Sequence, residues 1–274
     1  MQKNIIVKDH SISHEEFELV YDSQYDYYLT KPVPNNLSKY YESKAYISHT
    51  DATDTLQDKI YQFVKRINLH HKVKLISQYT TNKKILDIGA GTGDFLKYAK
   101  IKGWDITGVE PNEHARKLAS EKGIQLSSSF EELPAEQYDI ITLWHVLEHL
   151  PDLDAHIKQL HNLLLPQGTL IIAVPNYNSY DAKHYGHYWA AFDVPRHLYH
   201  FSRNSIKRIF SKHSFSLVAT KPMLFDSYYV SLLSEKYKHA KGNFFKAFLV
   251  GTLSNIQGLF SKEHSSHIYI LKKQ

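Results

Sequence analysis

The sequence predicts an α/β protein with a Rossmann-like sheet of seven mostly parallel strands and helices on both faces. Three observations carry that expectation. Ile85-Leu86-Asp87-Ile88 reads as a short buried strand, Gly89-Ala90-Gly91-Thr92-Gly93 as a turn where backbone approaches something closely, and residues 94–100 as the helix that follows. Such a strand, glycine loop and helix open nucleotide-type sites in α/β sheets. Strand and helix patterns then alternate to residue 220, which implies parallel strands joined by crossover helices. Finally, 274 residues of 42% hydrophobic composition are enough to bury a real core.

The loop spacing narrows the ligand. A dinucleotide loop has the form G-x-G-x-x-G, whereas this chain has G-x-G-x-G with Asp94 where the third glycine would fall. Asp87, just ahead of the loop, would repel a pyrophosphate and attract an ammonium group. The ligand indicated is a nucleoside with a cationic amino-acid tail.

Asp87-Ile88-Gly89-Ala90-Gly91-Thr92-Gly93 resembles the first motif of the class I S-adenosylmethionine (SAM)-dependent methyltransferases. The resemblance extends over residues 83–220 and, more loosely, the whole chain. It implies SAM as cofactor, S-adenosylhomocysteine as product, and a last strand that runs antiparallel beside the sixth.

Taken in order, residues 1–80 form an N-terminal region. Alternating Phe17, Leu19, Tyr21 and then Tyr25, Tyr27, Leu29 read as a small hairpin closed by Lys31-Pro32-Val33-Pro34. It resembles a zinc-ribbon lobe of some bacterial relatives, but Tyr21-Asp22-Ser23-Gln24 stands where a C-x-x-C pair would be, so no zinc is expected. The chain has no cysteine, which also excludes disulfides and thiol nucleophiles. Residues 40–49, aromatic yet polar, read either as a surface segment or as a lid over the cofactor cleft. Leu56, Ile60, Phe63, Val64 and Ile67 mark a helix continuing through Val73 and Ile76.

Residues 81–274 form the SAM-binding domain. Strand one is 84–88, and its helix stops at Gly103. Strand two, 105–109, ends at Glu110, an acidic residue placed to accept hydrogen bonds from ribose hydroxyls. Asn112 caps the next helix, Gly123 ends it, and strand three is 124–127. Ser129 and Phe130 fall in what resembles the family's adenine-binding turn. Strand four, 138–143, runs into Trp144-His145-Val146-Leu147-Glu148-His149, which resembles the fourth motif; that register lays Trp144 against the methionine part of SAM. The cofactor set is therefore Asp87, Gly89, Gly91, Gly93, Glu110, Ser129, Phe130 and Trp144. A helix capped by Asp152 leads to strand five, 169–174. Residues 179–201 form an insertion where such enzymes vary their acceptor pocket, followed by a helix over 204–213, strand six over 215–220, a helical insertion over 221–263 and a final strand over 267–271. The apolar face around Phe244-Phe245 reads as a packed cap, a dimer contact or a membrane-surface patch, the first two favoured because its flanks lack a cationic stripe.

Transfer to an acceptor needs a near-attack pose of about 3–3.5 Å and, for a hydroxyl acceptor, a base. His145, at the carboxyl end of a strand, is the first candidate base, with His197 sharing proton transfer and Arg196 forking onto an acidic group of the acceptor. Asp193 and Arg196 are equally readable as a structural ion pair. His145-Val146-Leu147-Glu148-His149 also spells the H-x-x-E-H zinc-protease pattern, but Pro151 leaves at most one helical turn for it. Ubiquinone-type O-methyltransferases carry E-x-x-E-H here, associated with a divalent ion. His145 departs from it, so no metal ligands are assigned, and ion binding by His145, Glu148 and His149 stays open. The reading is a methyltransferase acting on a small molecule, of acidic or aromatic character, at a hydroxyl oxygen. The alternatives are a non-catalytic SAM-fold binding or regulatory protein and an NAD oxidoreductase. A net charge of +5 spread along the chain gives no nucleic-acid arm. Without an apolar run of about 18 residues or a signal peptide, a cytoplasmic protein is expected with no membrane partner. The oligomeric state is left open.

Overall fold

The structure, a computed structural model, describes residues 4–41 and 56–274. The strands and helices of the first half are β1 (Ile5–Lys8), β2 (Glu16–Asp22), β3 (Tyr27–Lys31), α1 (Leu56–Ile76), β4 (Lys84–Ile88), α2 (Asp94–Ile101), β5 (Asp105–Val109), α3 (Glu113–Glu121) and β6 (Tyr138–Trp144). They are followed by α4 (Leu153–Leu163), β7 (Leu164–Pro175), α5 (Tyr180–Tyr185), β8 (Tyr199–Phe201), α6 (Arg203–Phe210), β9 (Phe215–Pro222), α7 (Asp226–His239), α8 (Phe244–Ser261) and β10 (Ser266–Lys273). Of the expected lid, residues 42–49 lie outside the described residues, as do the side chains of Leu56, Ile60 and Phe63 in α1.

The central sheet has the order β5-β4-β6-β7-β10-β9, six strands rather than the seven expected. The missing strand is 124–127, which makes a single parallel bridge, Val109 with Ser127. A ladder cannot continue, because Ser127-Ser128-Ser129 turns at once into a short 3-10 helix, Phe130–Glu132. β4 lies between β5 and β6, parallel to both, and its Ile85, Leu86 and Ile88 are buried along with Ile140, Ile141 and Leu143 of β6. Strands apolar on both faces are what a covered parallel sheet requires.

The hairpin of β2 and β3 is present, with Leu19 opposite Thr30 and Tyr21 opposite Tyr28. It belongs to a four-stranded sheet, β1-β2-β3-β8, and neither outer strand was visible in the sequence. β8 comes from the 179–201 insertion, so this hairpin is completed by chain about 170 residues downstream, with Tyr27 opposite Phe201 and Leu29 opposite Tyr199.

By compactness the chain divides into two units. One comprises Met1–Glu42, His145–Asp154 and Ile172–Ile270, and the other Ser43–Trp144, Ala155–Ile171 and Leu271–Gln274. The core of the first is aromatic, with Phe17, Tyr28, Tyr40, Trp189 and Phe192 buried together with Leu19 and Val194.

The expected Asn112 cap is present, and Asn243 forms a second that the sequence reading did not name. Asn112 Oδ1 accepts from Ala115 N at 3.0 Å at the start of α3, and Asn243 Oδ1 from Lys246 N at 3.0 Å at the start of α8. Gly93, just before α2, has φ +74°, and a Cβ there would stand 3.0 Å from the Ala119 Cβ and 3.3 Å from the Ile124 Cβ. Left-handed backbone and a tight neighbour act together at this position. Gly93→Ala is therefore expected to destabilise the protein by about 1–3 kcal/mol, read as a lower denaturant midpoint at unchanged slope.

Candidate active site

In the second unit, the end of β4 presents Asp87 and the glycine loop. Gly89, Gly91 and Gly93 have φ of 68°, 54° and 74°, left-handed values that favour glycine. A Cβ on Gly91 would meet nothing within 4 Å, so the loop faces open space with bare backbone on that side. Asp87 is buried, and Thr142 of the neighbouring β6 donates its hydroxyl to Asp87 Oδ1 at 2.6 Å. Burial pushes the Asp87 carboxyl up to about 7, against the opposing influence of Thr142 and the Lys72 charge.

Glu110 follows β5 and has its carboxylate fixed from two sides. Gly91 N donates to Oε2 at 2.8 Å and Asn112 N to Oε1 at 2.8 Å, so the same residue ties down the glycine loop and aims its remaining lone pairs outward. Burial raises its pKa, with those amides opposing. Trp144 ends β6 edge-on to Phe95, with Lys72 Nζ 4.3 Å from its ring centroid, and its buried indole N–H has no hydrogen-bond partner among the described residues. Ser129 precedes the Phe130–Glu132 turn, and Phe130 is half-buried against His156. A bare glycine loop, a buried acid favouring a cation, an oriented second acid and an unsatisfied indole N–H fit a nucleoside with an ammonium-bearing tail.

In the first unit, Val146 and the 3-10 turn Leu147–His149 follow His145, whose φ is +58°. His145 Nε2 lies 3.0 Å from Asp226 Oδ2 and Nδ1 lies 3.4 Å from Glu148 Oε1. Burial opposes its protonation, but the Asp226 and Glu148 charges outweigh it and push the imidazole up to about 10. His145 is thus an imidazolium at neutral pH, a group that can hold charge and donate hydrogen bonds but cannot accept a proton.

Glu148 is buried, and beyond the long 3.4 Å approach of His145 Nδ1 to Oε1 its carboxylate oxygens have no donor among the described residues. Burial alone would raise its pKa; the neighbouring imidazoles, His145 foremost, bring it below the usual glutamate value. Beside it, His149 Nδ1 lies 3.0 Å from the Arg196 carbonyl oxygen and His197 Nδ1 lies 2.8 Å from that of Ala191. A carbonyl can only accept, so both rings donate from Nδ1, which leaves Nε2 of each as the nitrogen no carbonyl engages. Burial, reinforced by His197, lowers His149 to about 4. Glu148, His149 and His197 offer ligand atoms within 4.8 Å of one another. The donor set left open in the sequence thus gains His197 in place of His145.

Arg196 is turned inward. Its Nη2 donates to Asp9 Oδ1 at 3.0 Å, Asp193 Oδ1 at 2.6 Å and Ser11 Oγ at 2.6 Å, Nε to Asp193 Oδ2 at 3.0 Å, and Nη1 to the Tyr40 carbonyl at 3.1 Å. With 2% exposure, its fork serves the protein itself. Asp9, Ser11, Thr142, Lys72 and Asp226 were not picked out from the sequence, since each acts through a partner distant in the chain.

A family model described as a methyltransferase domain matches residues 56–220. The chain is similar to the ubiquinone biosynthesis O-methyltransferase of Aeromonas salmonicida, 33% identical over 108 residues, which are 35% of this chain and 44% of that protein. It is likewise similar to that of Pseudomonas putida, 30% identical over 107 residues, 35% of this chain and 46% of that protein. The match spans less than half the length of these curated relatives. Among solved structures, the magnesium protoporphyrin IX methyltransferase of Synechocystis with SAH bound shares the fold at a TM-score of 0.54 and 16% identity, covering 82% of this chain and 91% of that one.

The Arg196 network generates a stability prediction. Removing one partner of a buried pair leaves uncompensated charge and costs about 3–5 kcal/mol. Arg196→Ala is expected to lower the melting temperature strongly, and Asp9→Asn to do so by a lesser amount. A melting temperature near wild type for Arg196→Ala would return this side chain to the role of acceptor contact.

Proposed function

The chain belongs to the class I SAM-dependent methyltransferases, and from that premise we propose that it transfers a methyl group from SAM to a hydroxyl oxygen of a small-molecule acceptor. When bound, SAM supplies a methyl group on a sulfonium, already an excellent leaving group. The tasks left to the chain are binding, orientation and uptake of one proton. Asp87 takes the ammonium end, the backbone of Gly89, Gly91 and Gly93 approaches the ligand closely, and Glu110 accepts from the ribose. Ser129 and Phe130 take the base, and Trp144 lies along the methionine part.

The observation that carries the hydroxyl acceptor is Glu148, a buried carboxylate short of hydrogen-bond donors, set beside two imidazoles whose Nδ1 atoms are taken by backbone carbonyls. An acceptor hydroxyl supplies the missing donor, and His197 takes the proton as the oxygen becomes nucleophilic. His145 holds the Glu148 charge in place as an imidazolium, and Arg196 positions the His197 backbone. Glu148, His149 and His197 are also the residues that would hold a divalent ion, which would there act as a Lewis acid toward an acceptor oxygen.

Two measurements test this reading. Asp87 must be ionised to receive an ammonium group, so calorimetric affinity for SAM is expected to fall as pH drops through about 7, by roughly tenfold per unit well below it. Asp87→Asn should bind weakly at every pH and lose this slope; a slope that persists belongs to another group. For proton uptake, SAM consumption with a hydroxyl acceptor should fall roughly 10²–10⁴-fold in His197→Ala at unchanged SAM affinity. Unimpaired turnover in that variant would remove His197 from the chemistry.

A further inference from the structure

We propose that the outward face of α8 docks on an anionic lipid surface. The inference is independent of the acceptor and of the methyl-transfer reading.

The helix has two unlike faces. Its inner face is made of small side chains, Ala247, Val250, Gly251, Ser254 and Gly258, all buried, and the helix packs there against α5 and α7. At Gly251 a Cβ would stand 2.8 Å from the Tyr228 Cδ1, so that packing is as close as backbone allows. The large side chains point the other way. Phe245 is 85% and Phe260 84% exposed, and Phe248, Leu249, Ile256 and Leu259 between them are exposed as well. At 100° per residue these six positions fall within a sector about 120° wide, and at 1.5 Å per residue they form a stripe about 22 Å long. The packed cap favoured from sequence therefore accounts for the inner face alone. A continuous apolar stripe of this kind on a soluble surface marks an interaction site.

Charge selects the occupant. From residue 236 to 262 the chain has five lysines and no aspartate or glutamate. Lys246 is paired with the buried Glu235 at 3.1 Å. Lys236, Lys238 and Lys241 are exposed at the end of α7 and in the turn before Phe244, and Lys262 is exposed just after Phe260. Exposed lysines thus flank the stripe in the chain at both of its ends, which the expectation of a flank without cationic residues overlooked. The nearest acid beyond it, Glu263, accepts from Asn176 Nδ2 at 2.8 Å. A second copy docked on the same face would bring lysines against lysines in either direction, with no acid to meet them. Lipid phosphates supply the opposite charge, and acyl chains accept the phenylalanines. No helix among the described residues is long and apolar enough to cross a membrane, and α8 buries one face against protein, so it would lie along the surface.

The test is co-sedimentation of the full chain with vesicles of phosphatidylcholine containing about 30% phosphatidylglycerol, compared with phosphatidylcholine alone. Association is expected with the anionic vesicles and at least tenfold more weakly, on the order of one decade, with the neutral ones or in high salt. F245E/F260E should lower the partition at least about tenfold, and K236E/K238E/K241E roughly fivefold per lysine. Both variants change exposed positions, and their melting temperatures should match wild type. Absence of vesicle binding, or equal binding by wild type and both variants, overturns the proposal. So does a micromolar dimer that F245E/F260E dissociates, which would assign the face to a second copy.

Discussion

The first unit is organised by one buried cation. Arg196 reaches Asp9, which lies 187 residues earlier, together with Asp193 and the Tyr40 carbonyl. A buried guanidinium is tolerable only when its donors are nearly all satisfied. Here both carboxylates are held ionised: burial would raise Asp9, but the Ser13 amide and Arg196 keep it well below the usual carboxylate range, and Asp193 is lowered in the same way by Arg196. Neither acid can move without stranding the cation, so the turn after β1, Tyr40 and the insertion are fixed to one another.

That fixity is handed on along the backbone to the imidazoles. The Arg196 carbonyl receives the His149 N–H, His197 N donates to the Asp193 carbonyl at 3.0 Å, and Thr30 of β3 donates to the His197 carbonyl at 2.6 Å. Leu198 N donates in turn to the Glu148 carbonyl at 2.8 Å. The arrangement makes the aromatic hairpin a clamp on the segment that bears His197. In the second unit the corresponding device is an acid kept at a disadvantage. Asp87 is buried with one hydroxyl donor, so its ionised form is disfavoured, and on the proposed reading a cationic ligand would restore it where charge counts for more than in water.

The sequence was most legible where structure is local. The strand, glycine loop and helix, Glu110 at the next strand end and the Asn112 cap all follow from residues within a few positions of one another. What escaped depends on distant partners. Ile5-Ile6-Val7 reads as a polar terminus until β2 pairs with it, and the insertion has no strand period because β8 is only three residues long. Residues 124–127 look like a strand by composition yet lack the length to sustain a ladder against β5. The acid and imidazole motif was recognised as a string, but left-handed backbone at His145 gives that ring to Asp226, and only the fold brings in His197.

The five residues from His145 to His149 then hold two imidazoles at opposite extremes, one pushed up to about 10 and the other down to about 4. Composition cannot separate them, since both rings are flanked by apolar residues and share Glu148 as a neighbour. The difference is direct contact: Asp226, from α7, lies 3.0 Å from His145, while at His149 burial outweighs the charges of Glu148 and Asp193 and the ring faces a carbonyl and another imidazole. A single short turn in this way carries two roles side by side, an imidazole held protonated and an imidazole held neutral. Two histidines of ordinary pKa could not hold those roles together, because near neutrality each would spend part of its time in the wrong state.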